Sequence, residues 1–222
     1  MIEAIPIFIA LSLCYGFVGV VLMALYIDYQ AQYRTLLSFV FSSWYYRICF
    51  FVLCVCSFFV LVWQDIGASY VILMFLLLLG LIDIKCLALP DMLNFSLLLV
   101  CVVYAFLESS IVYESFMQRV LLGFGVGGVF FTLKILYQSF MHKDIIGEAD
   151  IVVLSALGIA FGALSAFVSV FLGSIVALVY ALFLAIWYKR NLIHLKLPFC
   201  FFIFVGTIMQ MLWLSYGDLL YA

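Results

Sequence analysis

From Ile151 to Trp187 the chain runs without a single Asp, Glu, Lys or Arg, and this stretch constrains the fold more than any other. It is longer than the roughly 20 apolar residues that cross a hydrocarbon core, so one crossing cannot hold it. Two successive membrane helices are expected, 150–165 and 167–187, with the break near Ala163 to Ser165. The same yardstick gives six more spans at 4–27, 47–63, 68–82, 93–108, 119–138 and 197–215. The first is too long for a signal-peptide core and no small-residue cleavage site follows it, so it reads as a retained membrane helix.

Composition excludes the soluble alternatives. With 70% hydrophobic and 9% charged residues, the 222-residue chain exposes more apolar surface than a soluble domain can hide, so lipid has to cover it. Spanning segments must satisfy their own backbone hydrogen bonds, and helix-length runs do so as helices. The expected fold is an all-α integral membrane protein, a bundle of about eight transmembrane helices forming a single membrane domain over 1–222. A formal charge of -2 supplies no basic field for nucleic acid; membrane lipid is the expected surroundings.

The nine Lys and Arg residues orient the chain, because cytoplasmic loops collect positive charge. With the N-terminus outside, Arg34, Arg47, Lys85, Lys134, Lys143, Lys189, Arg190 and Lys196 fall at or near the cytoplasmic face and Arg119 alone lies outside. The outer connections then carry Asp65, Glu108, Glu114 and Asp218.

Carboxylates near a bilayer are costly and need a partner, a wet cavity or a task. Asp83 ends the apolar run Val71 to Ile82, and Asp150 sits where the Gly147-Glu148-Ala149-Asp150 turn enters the next span. Both fall at the same expected depth on the cytoplasmic side. Two carboxylates sharing one water cannot both ionise easily, which is the condition for acid-base proteolysis. The alternative at that point is structural: each caps a helix or meets Lys85 or Lys143.

The surrounding residues favour the first alternative, for they resemble the type IV prepilin peptidases. Asp83 through Leu89-Pro90-Asp91 matches the family's D-x-x-x-x-x-(L/I)-P-D/N pattern. Gly147 and Asp150 match its G-x-G-D, with Ala149 in place of the second glycine. Val152 stands where the family usually has lysine, Ala156-Leu157-Gly158 and Gly162 follow the A-L-G-x-x-x-G stretch, and Leu197-Pro198-Phe199-Cys200-Phe201-Phe202 loosely resembles P-F-G-P-F. The resemblance implies Asp83 and Asp150 as the catalytic pair, with Pro90, Asp91, Gly147 and Gly158 supporting the motifs. It implies a peptidase core over 68–215 behind a shortened N-terminal part, 1–67. The implied substrate is a prepilin or pseudopilin, cut just after a glycine between its basic leader and its hydrophobic segment, at the cytoplasmic face of a bacterial inner membrane. Relatives that also N-methylate the product use a large first cytoplasmic region often carrying two C-x-x-C pairs. The corresponding connection here, 28–46, has no cysteine, so a short, peptidase-only member is implied. A preflagellin-type peptidase, and a small transporter or scaffold using the same two aspartates, are the competing expectations.

Other features have plainer explanations. Asp91 caps a helix behind Pro90, Asp144 and Glu148 belong to a solvated loop, and His142 and His194 sit among Lys and Arg as surface residues. The seven cysteines, at 14, 49, 54, 56, 86, 101 and 200, lack C-x-x-C spacing and read as small membrane-buried residues, so neither a metal nor a cofactor is expected. Gly123, Gly125 and Gly128 satisfy G-x-G-x-x-G inside an apolar span with no preceding strand, so helix packing through Gly123 and Gly127 explains them. Trp44, Trp63, Trp187 and Trp213 are placed as interfacial anchors. No G-x-S-x-G or H-E-x-x-H motif is present, which leaves serine and zinc peptidases without their chemistry.

Overall fold

A computed structural model describes residues 5–27, 43–64, 67–112, 115–142, 147–188 and 196–221. Arg34, Asp65, Glu114, Lys143, Asp144, Lys189, Arg190 and His194, together with 28–42 of the first long connection, lie outside the described residues. The described chain is all-helical. Its helices are α1 (Ile5–Ile27), α2 (Trp44–Gln64), α3 (Ala68–Cys86), α4 (Asp91–Val112), α5 (Phe116–Met141), α6 (Glu148–Phe161), α7 (Ala163–Tyr188) and α8 (Phe199–Tyr221). Six of them, α1 to α5 and α7, are long and apolar enough to cross a membrane, and this makes the protein a multi-pass membrane protein. The chain divides into two compact units, Met1–Cys86 and Leu87–Ala222.

In the first unit α3 is the buried element. Ile72, Leu73, Met74 and Leu76 through Leu79 are each at most 3% exposed, as expected for a helix apolar on every side. Its few polar neighbours satisfy one another. Tyr70 and Ser57 hydroxyls lie 2.8 Å apart, Ser57 donates to Ser12 at 3.2 Å, and Ser12 donates back to the Phe8 carbonyl at 2.7 Å. With no water in a bilayer core to accept these protons, the chain of hydroxyls fastens α1 and α2 to α3. The helix ends where Leu87 takes the left-handed conformation, φ 51°.

In the second unit the central element is α6, which packs against α4, α5, α7 and α8. Val153 through Ala160 are all buried. Glycines bring α5 and α6 together: a Cβ on Gly158 would lie 2.9 Å from the Gly123 Cα, and one on Gly127 would overlap the Ser155 side chain. Gly125 and Gly128 have open space instead. Gly123 and Gly127 therefore act as the expected small-residue packing face. The α7 and α8 pair is held the same way, with Gly206 against Gly173, and by a buried hydrogen bond from Ser169 to the Gln210 carbonyl.

The long apolar run divides at Gly162 (φ 88°), just before the expected Ala163 to Ser165. Only a residue without Cβ adopts that conformation cheaply, so the glycine and not the following small residues ends the helix. The consequence for α6 is larger than the shift suggests. With 14 residues and about 1.5 Å of rise each, it is about 21 Å long, short of the roughly 30 Å core, so the expected span 150–165 is not a full crossing.

Trp44, Trp187 and Trp213 are more than 70% exposed, and Trp44 and Trp187 lie at helix ends. Cys49, Cys101 and Cys200 are buried and Cys54 and Cys56 half-buried, but Cys14 and Cys86 are exposed, Cys86 because it closes the last turn of α3.

Candidate active site

Asp83 lies in the last turn of α3 and is 6% exposed. That turn is clamped by two consecutive tyrosines from α2. The Tyr45 hydroxyl donates to the Leu81 carbonyl at 2.8 Å. The Lys85 ammonium lies 5.0 Å from the Tyr45 ring centre and 4.8 Å from the Tyr46 ring centre, and donates to the Tyr46 hydroxyl at 3.4 Å. A cation held over two aromatic faces at a helix C-terminus is favoured by the ring quadrupoles and by the helix dipole alike. Tyr46 is 1% exposed, so this clamp is anchored in the core of the first unit. Asp83 and Asp91 stand on different helices, separated by the break at 87–90.

Asp150 is the third residue of α6 and is half-buried. Its carboxylate turns back and accepts a hydrogen bond from the Gly147 backbone N–H at 3.2 Å. Glycine has no side chain to reciprocate, so this is one half of a capping box. Asp150 therefore does cap a helix, as the structural alternative required. The cap occupies Oδ2, and a carboxylate offers about four acceptor positions. The N-terminus of α6 also favours negative charge at this point.

The glycine at 147 has a specific reason. A Cβ there would stand 2.9 Å from the Asp150 Oδ2, so any larger residue pushes the carboxylate off its donor. Ala149, by contrast, replaces a family glycine without strain. It is an ordinary helical residue in the first turn of α6, and the only non-glycine residues with positive φ among those described are Leu87 and His142. Glycine's special freedom is not needed there.

Two further residues shape this turn. Lys134 of α5 reaches Glu148 at 3.4 Å, and the Glu148 side chain stays 89% exposed, a solvated residue as expected that also meets a cation. Asn94 of α4 donates from Nδ2 to the Ala149 carbonyl at 2.8 Å. Sequence reasoning passed over both. Asn94 was detectable as an amide set in an apolar run just after Pro90; the Lys134 contact needed the packing of α5 on α6. Pro90 supplies the first carbonyl of α4, accepting from the Asn94 N–H at 3.0 Å, and Asp91 is exposed in the first turn beside it. Gly158 lies about two turns along α6 from Asp150 and sets the separation of α5 and α6. His142 is exposed and ends α5 in the left-handed conformation.

The run that carries Asp83, Pro90, Gly147 and Asp150 lies wholly inside a match, over residues 70–182, to the model of the type IV leader peptidase family. The chain belongs to this family. Leader peptidase membership makes it a peptidase and disfavours a transporter or scaffold as its main role. The match begins at the start of α3 and ends within α7, so it spans both aspartate-bearing turns. No curated protein and no solved structure matches the chain.

Proposed function

We propose that the protein is an aspartic-type leader peptidase that removes the basic leader of type IV prepilins or pseudopilins, with Asp83 and Asp150 as its catalytic pair. The observation that carries this reading is the construction of the two turns. Each holds one aspartate at a helix end, fastened by its own clamp: Tyr45, Tyr46 and Lys85 around the Asp83 turn, and Gly147 and Asn94 around the Asp150 turn. Such rigid placement is what positional catalysis requires.

In the proposed reaction the ionised carboxylate takes a proton from water as the water oxygen attacks the scissile carbonyl carbon. The protonated carboxyl then delivers its proton to the leaving amine nitrogen as the C–N bond breaks. The products are a leader ending in a carboxylate and a mature protein with a new amino terminus. The charge distribution supports an outside N-terminus and cleavage on the cytoplasmic side of a bacterial inner membrane. The cysteine-free connection 28–46 supports a peptidase without methyl transfer.

Cleavage of a co-expressed prepilin, read as a gel shift, tests the proposal. Asp83→Asn and Asp150→Asn are expected to abolish the shift while still accumulating in the membrane, and Asp91→Asn to retain it. Cutting by both of the first two variants, or none by the wild type, would remove the aspartyl assignment.

A further inference from the structure

Asn94 sits four residues into α4, within a run that is otherwise almost wholly apolar, and is 2% exposed. A buried amide is expensive unless each of its polar atoms is matched, so its bonds identify its task. Its orientation is fixed by chemistry: the Ala149 carbonyl is an acceptor only, so the atom 2.8 Å away has to be the NH2 group. The Asn94 carbonyl, Oδ1, consequently faces the other way, and it is buried with no hydrogen-bond partner among the described residues. Ala149 is the residue directly before Asp150. The amide thus ties α4 to the backbone unit that carries the Asp150 Cα.

From this geometry we infer that Asn94 is a positioning residue for Asp150: its NH2 group fixes the first turn of α6 through the Ala149 carbonyl. The inference rests on the peptidase reading with Asp150 as one of the pair. The donor half of the amide sets where the carboxylate stands, together with the Gly147 N–H on the other side of the turn.

Asn94→Asp tests the donor half, because a carboxyl group can donate to the Ala149 carbonyl only when protonated. With a synthetic peptide carrying a basic leader, a glycine and an apolar segment, and the full chain purified in detergent, kcat of Asn94→Asp is expected to fall about 10- to 100-fold at neutral pH. Relative to wild type at the same pH, it recovers as pH falls through the carboxyl range. A residue that merely supports the fold would lower the yield and the melting temperature without that recovery. Asn94→Leu removes the donor altogether and is expected to lower kcat at every pH. Should Asn94→Asp not accumulate, Asn94→Ser serves in its place: its hydroxyl is too short to reach Ala149, so kcat falls. Wild-type kcat in a folded Asn94 variant, or a loss in Asn94→Asp that no pH restores, overturns the inference. Asp150→Asn runs alongside. If it still cuts, the peptidase assignment of Asp150 itself has failed; if it is dead while the Asn94 variants remain fully active, only the role of Asn94 has failed.

Discussion

The contact between α5 and α6 makes a prediction whose sign reverses over two residues. A Cβ placed on Gly123 would lie 2.5 Å from the Ile159 backbone nitrogen and 2.8 Å from its Cα. Ordinary contacts between such atoms fall near 3.5–4.0 Å, so Gly123→Ala requires the helices to part by about 1 Å. The obstacle is backbone, which cannot rotate away as a side chain would. Overpacking of this kind costs about 3 kcal/mol, at the upper end of the usual range. Gly125, two residues along the same helix, has nothing within 4 Å of a built Cβ. There, alanine meets no obstacle and removes glycine's excess backbone freedom, stabilising the helix by about 0.5–1 kcal/mol. The difference of about 4 kcal/mol corresponds to a gap of about 8–16 °C in melting temperature for a chain of this size. Thermal unfolding of the two variants in one detergent measures that gap directly, and the shared detergent cancels most of the environment. Equal melting temperatures, or a Gly125→Ala variant less stable than Gly123→Ala, would refute the close approach of the two helices.

The turn at Asp150 yields two more expectations. Gly147→Ala should displace the Asp150 carboxylate from its backbone donor, lowering kcat of prepilin cleavage about 10-fold with little change in melting temperature; unaltered kcat would show that the cap does not position the acid. Ala149→Gly restores the family residue at a helical position, so it should lower stability by about 0.5–1 kcal/mol and leave cleavage unchanged, which a parallel melt and gel-shift assay would reveal.

Helix content and the approximate spans were legible because a hydrocarbon solvent imposes one rule everywhere: apolar side chains outside and backbone bonds inside. The same uniformity hid the interior. Nothing in the run from Ile151 to Trp187 distinguishes a full crossing from a short buried helix, because both are apolar on all sides. Only the positive φ of Gly162, one glycine among several in that run, makes the difference. Asp83 and Asp150 stood out because charge is rare here. Asn94 did not, since a single amide in an apolar run has no periodic signature and declares its purpose only through the carbonyl it meets. Ala149 shows the opposite case, a departure from the family pattern at a position where the backbone is helical and makes no demand that only glycine meets.

The shortness of α6 also bears on the supply of the second reactant. Peptide hydrolysis consumes one water per bond, and the interior of a bilayer holds almost none. A helix about 9 Å shorter than the surrounding hydrocarbon leaves lipid tails on at least one side with no helix surface to follow, and the polar backbone at such an end has to be covered by protein or wetted. Asp150 stands in the first turn of that helix beside an exposed Gly147. On the proposed reading, it is at such an end that water would reach the half-buried carboxylate. The membrane then keeps the reaction, on that same reading, at an aqueous face of the protein, where the polar leader and the apolar segment of a prepilin would meet.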